Sequence, residues 1–143
     1  MDVNTIEILK ECSSGCKMAI DSIEQVKEYV HDEKLNRLLV SYNEQHEKLL
    51  EKIRKLLAQY GKDDEDPSMM AEWCAKMKIE MKMTMHPDDH QIAKLMMDGC
   101  NMGIQSVSEY VNKYPDASPE AQDVAKELIK AEEDFMVEMK EFV

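Results

Sequence analysis

Apolar residues return in alternating steps of three and four over four long stretches of this chain. That period of about 3.6 is the signature of helices with one buried face. In the first stretch the stripe is Leu9, Cys12, Cys16, Ala19, Ile23, Val26 and Val30. In the second it is Leu35, Leu38, Leu39, Tyr42, His46, Leu49, Ile53, Leu56 and Tyr60. Few residues interrupt it: the 143-residue chain has only 4 Gly and 4 Pro, and aromatics are 6%. A β-rich fold is therefore excluded, and the chain reads as all-α.

Punctuation then sets the elements. The first helix is expected over about Thr5–His31, and the second from Asp32 to Gly61, a residue suited to a left-handed helix end. An acidic hinge at 62–67 follows. Asp66-Pro67 reads as a cap and a first-turn proline. A shorter helix runs to about Met85, with Met70, Trp73, Cys74, Met77 and Met81 on one face, until His86-Pro87 breaks it. The next helix carries Ile92, Met96, Cys100, Gly103, Val107, Tyr110 and Tyr114 and ends before Pro115. Ser118-Pro119 opens the last, which buries Ala121, Val124, Ala125, Leu128, Phe135, Met139 and Phe142. The organisation is one domain: a hairpin over 5–61, a crossover over 62–87 with its own short helix, and a hairpin over 88–143.

The two hairpins repeat each other. Gly15-Cys16-Lys17-Met18-Ala19-Ile20-Asp21-Ser22-Ile23 aligns with Gly99-Cys100-Asn101-Met102-Gly103-Ile104-Gln105-Ser106-Val107, identical at five of nine positions. Amphipathicity alone does not require a shared Gly-Cys-x-Met-x-Ile-x-Ser. In the helices that follow, Leu35, Tyr42 and Ile53 fall against Ala121, Leu128 and Met139.

Two hairpins and a long crossover make the ferritin-like version of the four-helix bundle. The chain resembles uncharacterised bacterial ferritin-like families, in Ile92-Ala93-Lys94-Leu95-Met96-Met97-Asp98-Gly99, Met102-Gly103-Ile104 and Ala131-Glu132-Glu133-Asp134. These are packing motifs and specify no chemistry. Ferritin-like di-iron proteins take a Glu from each of two helices and Glu-x-x-His from the other two. Here the second helix has Asn43-Glu44-Gln45-His46, with Asn in the glutamate's place. Phe135 and Met136 follow Glu132 and Glu133 at the histidine's place, and Glu11 and Glu24 lie off the first helix's stripe. The di-iron set is missing.

The repeat points to another set. Residues equally far from a hairpin turn lie at equal height, so Cys16 shares a layer with His46 and Cys100 with Glu132. The alignment pairs Cys16 with Cys100 and His46 with Glu132, bringing all four toward one level of the core. Cys16, His46, Cys100 and Glu132 are a plausible ligand set for a divalent metal such as zinc or iron. Against this, buried cysteine usually serves as a small hydrophobe, and Glu132 can satisfy His46 without metal. Cys12 and Cys16 also form C-x-x-x-C on one face, a spacing that occurs in thiol copper sites of bundles.

Of the 13 methionines, Met77, Met81, Met83 and Met85 cluster beside His86. Helical spacing turns Met83 away from Met81 and Met85, which favours an adaptable core or a partner-binding face over convergence on Cu⁺. A loosely packed crossover helix would offer its Met and Trp surface to a partner, and a homodimer is expected. The net charge of −12 opposes nucleic acid and anionic membranes. The start, Met1-Asp2-Val3-Asn4-Thr5, does not read as a secretory leader, so a cytoplasmic location with reduced cysteines is expected. No phosphate-binding Gly loop, Ser-His-Asp order or H-E-x-x-H is present, so catalysis is not expected. The two functional classes are a non-catalytic bundle acting through protein contacts and a metal-binding bundle.

Overall fold

A computed structural model describes residues 2–64, 68–83 and 87–143, with side chains of the third helix described over 72–82. Every regular element among them is helical: α1 (Asp2–Val26), α2 (Glu33–Ala58), α3 (Ser68–Met83), α4 (Asp89–Lys113) and α5 (Pro119–Met139), with 3-10 turns at Lys27–Tyr29 and Lys140–Phe142. Among the described residues, no helix is long and apolar enough to cross a membrane.

Local chemistry sets the ends. The Asp32 carboxylate accepts from the backbone N–H groups of Lys34 and Leu35, Asp88 from Gln91, and the Ser118 hydroxyl from Ala121. Each satisfies an orphan donor of a first turn. Gly61 sits at φ 68°, the left-handed conformation open to glycine. The first helix stops short of the expected His31. Val26 passes into a 3-10 turn, Val30 is extended, and the N–H groups of His31 and Asp32 donate to the two carboxylate oxygens of Asp89 at 2.9 Å each. The start of α4 thus competes for donors that a longer helix would have used. The expected Asp66-Pro67 start, and Met85 and His86, lie outside the described residues.

Helix directions follow from the ends that meet. The start of α1 touches the α4–α5 turn, where Asn4 Nδ2 donates to Asp116 Oδ1 at 2.9 Å. The turn after α1 meets the start of α4 through Asp89. Lys34 at the start of α2 pairs with Glu141 beyond α5 at 2.5 Å. The order is therefore up, down, down, up for α1, α2, α4 and α5, and the crossover travels the length of the bundle. Neighbouring pairs are α1–α2, α4–α5, α1–α4 and α2–α5, with α1 and α5 also packed across the diagonal. α3 lies against α1 on the outside.

This position of α3 explains what periodicity missed. Residues 11–16 of α1 are all buried, including Glu11, Ser13, Ser14 and Gly15. One stripe faces the bundle; the rest is covered by α4, α3 and the start of the crossover. Gly15 admits α5 closely, since a Cβ there would stand 3.3 Å from Leu128 Cδ2. Glu11, expected off the buried face, is enclosed and accepts a hydrogen bond from Ser106 of α4. The described side chains of α3 dock on the bundle, so the condition for offering its Met and Trp surface to a partner, loose packing, is not met at Trp73 and Met77. Trp73 and Met77 are buried, and the Trp73 indole N–H donates to Ser22 Oγ at 2.8 Å. Their surface is spent on the bundle and is closed to a partner.

Candidate functional site

The polar centre is built from α2, α4 and α5. Helical spacing puts Tyr42 and His46 one turn apart on the buried face of α2, and Glu132 enters from the buried face of α5. His46 is fully buried and Glu132 is 4% exposed. His46 Nδ1 lies 2.7 Å from the backbone carbonyl of Tyr42. A carbonyl only accepts, so Nδ1 carries hydrogen. Nε2 meets Glu132 Oε1 in a short contact. One proton therefore lies between that nitrogen and that oxygen. Either arrangement, imidazolium with carboxylate or imidazole with carboxylic acid, leaves the pair neutral overall, as a buried site requires.

The other carboxyl oxygen, Oε2, accepts from the Tyr42 hydroxyl at 2.5 Å. Cys100 Sγ stands 3.5 Å from that hydroxyl, and its thiol also hydrogen-bonds Glu132. The Tyr42 ring stacks on Phe135 with centroids 3.9 Å apart and tilts against His46 at 4.0 Å, which fixes its position. Burial, then the nearby Glu132 charge, pushes the Tyr42 hydroxyl and the Cys100 thiol well above their ordinary pKa values. Burial, then Cys12 and Glu132, does the same to Cys16. Cys12 is raised by burial and then by Glu11. These groups stay protonated and neutral.

Of the sequence-derived set, the structure brings His46 and Glu132 into direct contact and joins Cys100 to them. Cys16 lies fully buried within electrostatic reach of Glu132. Among the described residues, no group of three or more His, Cys, Asp or Glu side chains could hold a metal ion. Tyr42 is the member that sequence reasoning placed only in the apolar core. Its signal was present: a hydroxyl one turn before a buried histidine needs a partner. All four cysteines are free. Cys74 on α3 is the most accessible, and burial with a hydrogen bond to Asp21 pushes its thiol up to about 12.

The second feature is a groove. Along the α2–α5 seam, away from α3, two adjoining openings of about 330 and 150 Å³ share Gln45, Ala131 and Asp134. Leu49, Leu38, Tyr42 and Phe135 contribute apolar surface. The α2 rim carries Lys48 and Lys52, while the α5 rim carries Glu127, Asp134 and Glu138. Lys130, also on α5, is paired with Asp134 at 3.0 Å, and Lys52 reaches across the groove to Glu127 at 3.3 Å.

No curated protein and no solved structure matches the chain significantly. A family model does, over residues 4–113, from within the first helix to the end of α4. That match takes in both Gly-Cys-x-Met segments and His46, and by it the chain belongs to the family described as the domain of unknown function DUF2383.

Proposed function

We propose that this chain is a ferritin-like bundle without the di-iron ligand set, and that it works as a non-catalytic protein through self-association. Its helix order and long crossover support the ferritin-like reading. The observation that carries the functional reading is the α2–α5 groove, an apolar strip edged by Lys48 and Lys52 on α2 and by Glu127 and Asp134 on α5. A twofold axis parallel to the helices would lay α2 of one copy over α5 of the other. Lys48 would then face the partner's acidic α5 rim, and the Lys52–Glu127 pair made within each chain would be exchanged for the same pair between copies, twice, around the apolar strip with Leu49 and Ala131. This local match offsets part of the repulsion between two chains of charge −12.

The test uses charge reversal. Lys48→Glu/Lys52→Glu should be monomeric alone, and so should Glu127→Lys/Asp134→Lys. An equal mixture of the two should form a heterodimer. Association of neither variant with itself nor with the other would count against the groove, as would unimpaired self-association of either.

A second reading takes Cys16, His46, Cys100 and Glu132 as ligands for zinc or iron. It starts from the connected group His46, Glu132 and Cys100, which as placed does not form an ion site. It requires His46 to exchange its Glu132 hydrogen bond for a metal bond. Metal analysis after reconstitution with Zn²⁺ or Fe²⁺ tests it, with His46→Leu as the control; no retained metal excludes it.

A further inference from the structure

Trp73 of α3 roofs a small cavity between α1, α4 and α5. Its volume is about 10 Å³, close to the minimum for one water-sized occupant. Met18 of α1, Met96 and Cys100 of α4, and Glu132 of α5 line it. All four are at least nine-tenths buried. Two thioethers and a thiol are soft donors, the class that favours monovalent copper.

Methionine and cysteine in a core usually do no more than fill space. Here the space is left open. Gly103 forms part of the wall, in the middle of α4, where glycine costs about 1 kcal/mol relative to alanine. A Cβ at Gly103 would meet nothing nearer than Glu132 Cδ at 3.9 Å, an ordinary contact. Packing alone would accept alanine, and the repeat-equivalent residue is Ala19. Gly99 differs: a Cβ there would fall 2.9 Å from the Trp73 ring, so that glycine is needed to seat the indole.

We propose that this cavity binds one Cu⁺ ion through the sulfur atoms of Met18, Met96 and Cys100. As the copper–sulfur bond to Cys100 forms, the S–H bond breaks and its proton leaves to solvent. One monovalent cation replaces another, so the charge of the core is unchanged. A divalent ion in the same place would add one buried positive charge unless the proton shared by His46 and Glu132 also left. The Trp73 indole, held by Ser22, adds an aromatic neighbour suited to a cation. The inference is independent of self-association; it shares Cys100 with the zinc or iron reading but uses Met18 and Met96 in place of Cys16 and His46.

The test is anaerobic titration of the full chain with Cu⁺ in competition with a chromophoric chelator, while following tryptophan fluorescence. Trp73 is the only tryptophan. One equivalent should bind and quench it. Met96→Leu and Cys100→Ser should each weaken binding by about tenfold or more. Gly103→Ala should keep the helical circular dichroism and lose the site, because its methyl group fills the cavity. Copper binding that survives Gly103→Ala, or that leaves Trp73 unquenched at one equivalent, would place the metal on other methionines and overturn the proposal. So would failure of the unmodified chain to compete for Cu⁺.

Discussion

His46 and Glu132 occupy equivalent positions in the two hairpins and meet side chain to side chain in the core, 86 residues apart in the chain. The equivalence fits their height: an approximate twofold relation between hairpins brings matching positions of α2 and α5 to one level. What differs is the chemistry. One repeat supplies a base, the other an acid, and one proton serves both.

That sharing makes substitutions at Glu132 unequal. Glu132→Gln keeps an oxygen to accept from Tyr42 and an N–H to donate to neutral His46, so a small loss is expected. Glu132→Leu leaves His46, Tyr42 and Cys100 short of a partner and should cost about 3–5 kcal/mol. His46→Leu with Glu132→Leu should cost less than the sum of the two single changes. Urea denaturation of the four variants checks this; additive losses would show that the pair is not coupled.

The cysteines should be quiet. Cys12, Cys16 and Cys100 are buried with raised pKa values, and the Cys74 thiol is held up at about 12. At pH 8 the native thiolate fraction is therefore low, and alkylation should be slow at all four. Cys74 should react first and the other three only as the chain opens. Mass spectrometry of partially alkylated protein reads the order. Early labelling of Cys16 or Cys100 would contradict the burial described.

Asp64 fastens the α2–α3 connection to α1 and α2. It accepts from Lys17 Nζ at 2.7 Å and Arg54 Nε at 3.1 Å. The hydrogen bond from Lys17 is the main cause holding its carboxyl below the ordinary 3.8. A carboxyl with a depressed folded-state pKa stabilises fully above its unfolded value, and that contribution fades as pH falls through the folded value. Asp64→Asn should therefore be less stable than the parent at pH 6. The difference should hold down to about pH 4 and shrink below it. Thermal melts across pH 2–7 test the sign; a gap that widens on acidification would refute it.

The two glycines facing the cavity should respond oppositely to a methyl group. Gly99→Ala drives Cβ into the Trp73 ring and should cost about 1–3 kcal/mol through displacement of α3. Gly103→Ala gains helix propensity without a clash and should stabilise by up to about 1 kcal/mol. Equal effects in denaturant melts would show that Trp73 is not seated as described.

Much of this architecture is legible because helix ends are written locally. Asp32 and Ser118 mark their helix starts and Gly61 its left-handed turn, whereas Asp88, which reads as a first-turn acid, is the cap of α4. Equal heights follow from the repeat, so the meeting of His46 and Glu132 needed only the alignment. Glu11 and the 11–16 run of α1 were not legible, because a period of 3.6 identifies one buried face and cannot show that a fifth helix covers another. The fate of Trp73 hid for the same reason: its partners, Ser22 and Gly99, are 51 residues before it and 26 after it. Tyr42 reads as apolar core because its ring is core, while its hydroxyl joins the polar centre.

Self-association through the α2–α5 groove is most directly tested by sedimentation equilibrium of Lys48→Glu/Lys52→Glu, Glu127→Lys/Asp134→Lys and their equal mixture. The account predicts two monomeric variants and a heterodimeric mixture, beside a dimeric parent chain. A parent chain that stays monomeric throughout the micromolar range, or a mixture that stays monomeric, would contradict it.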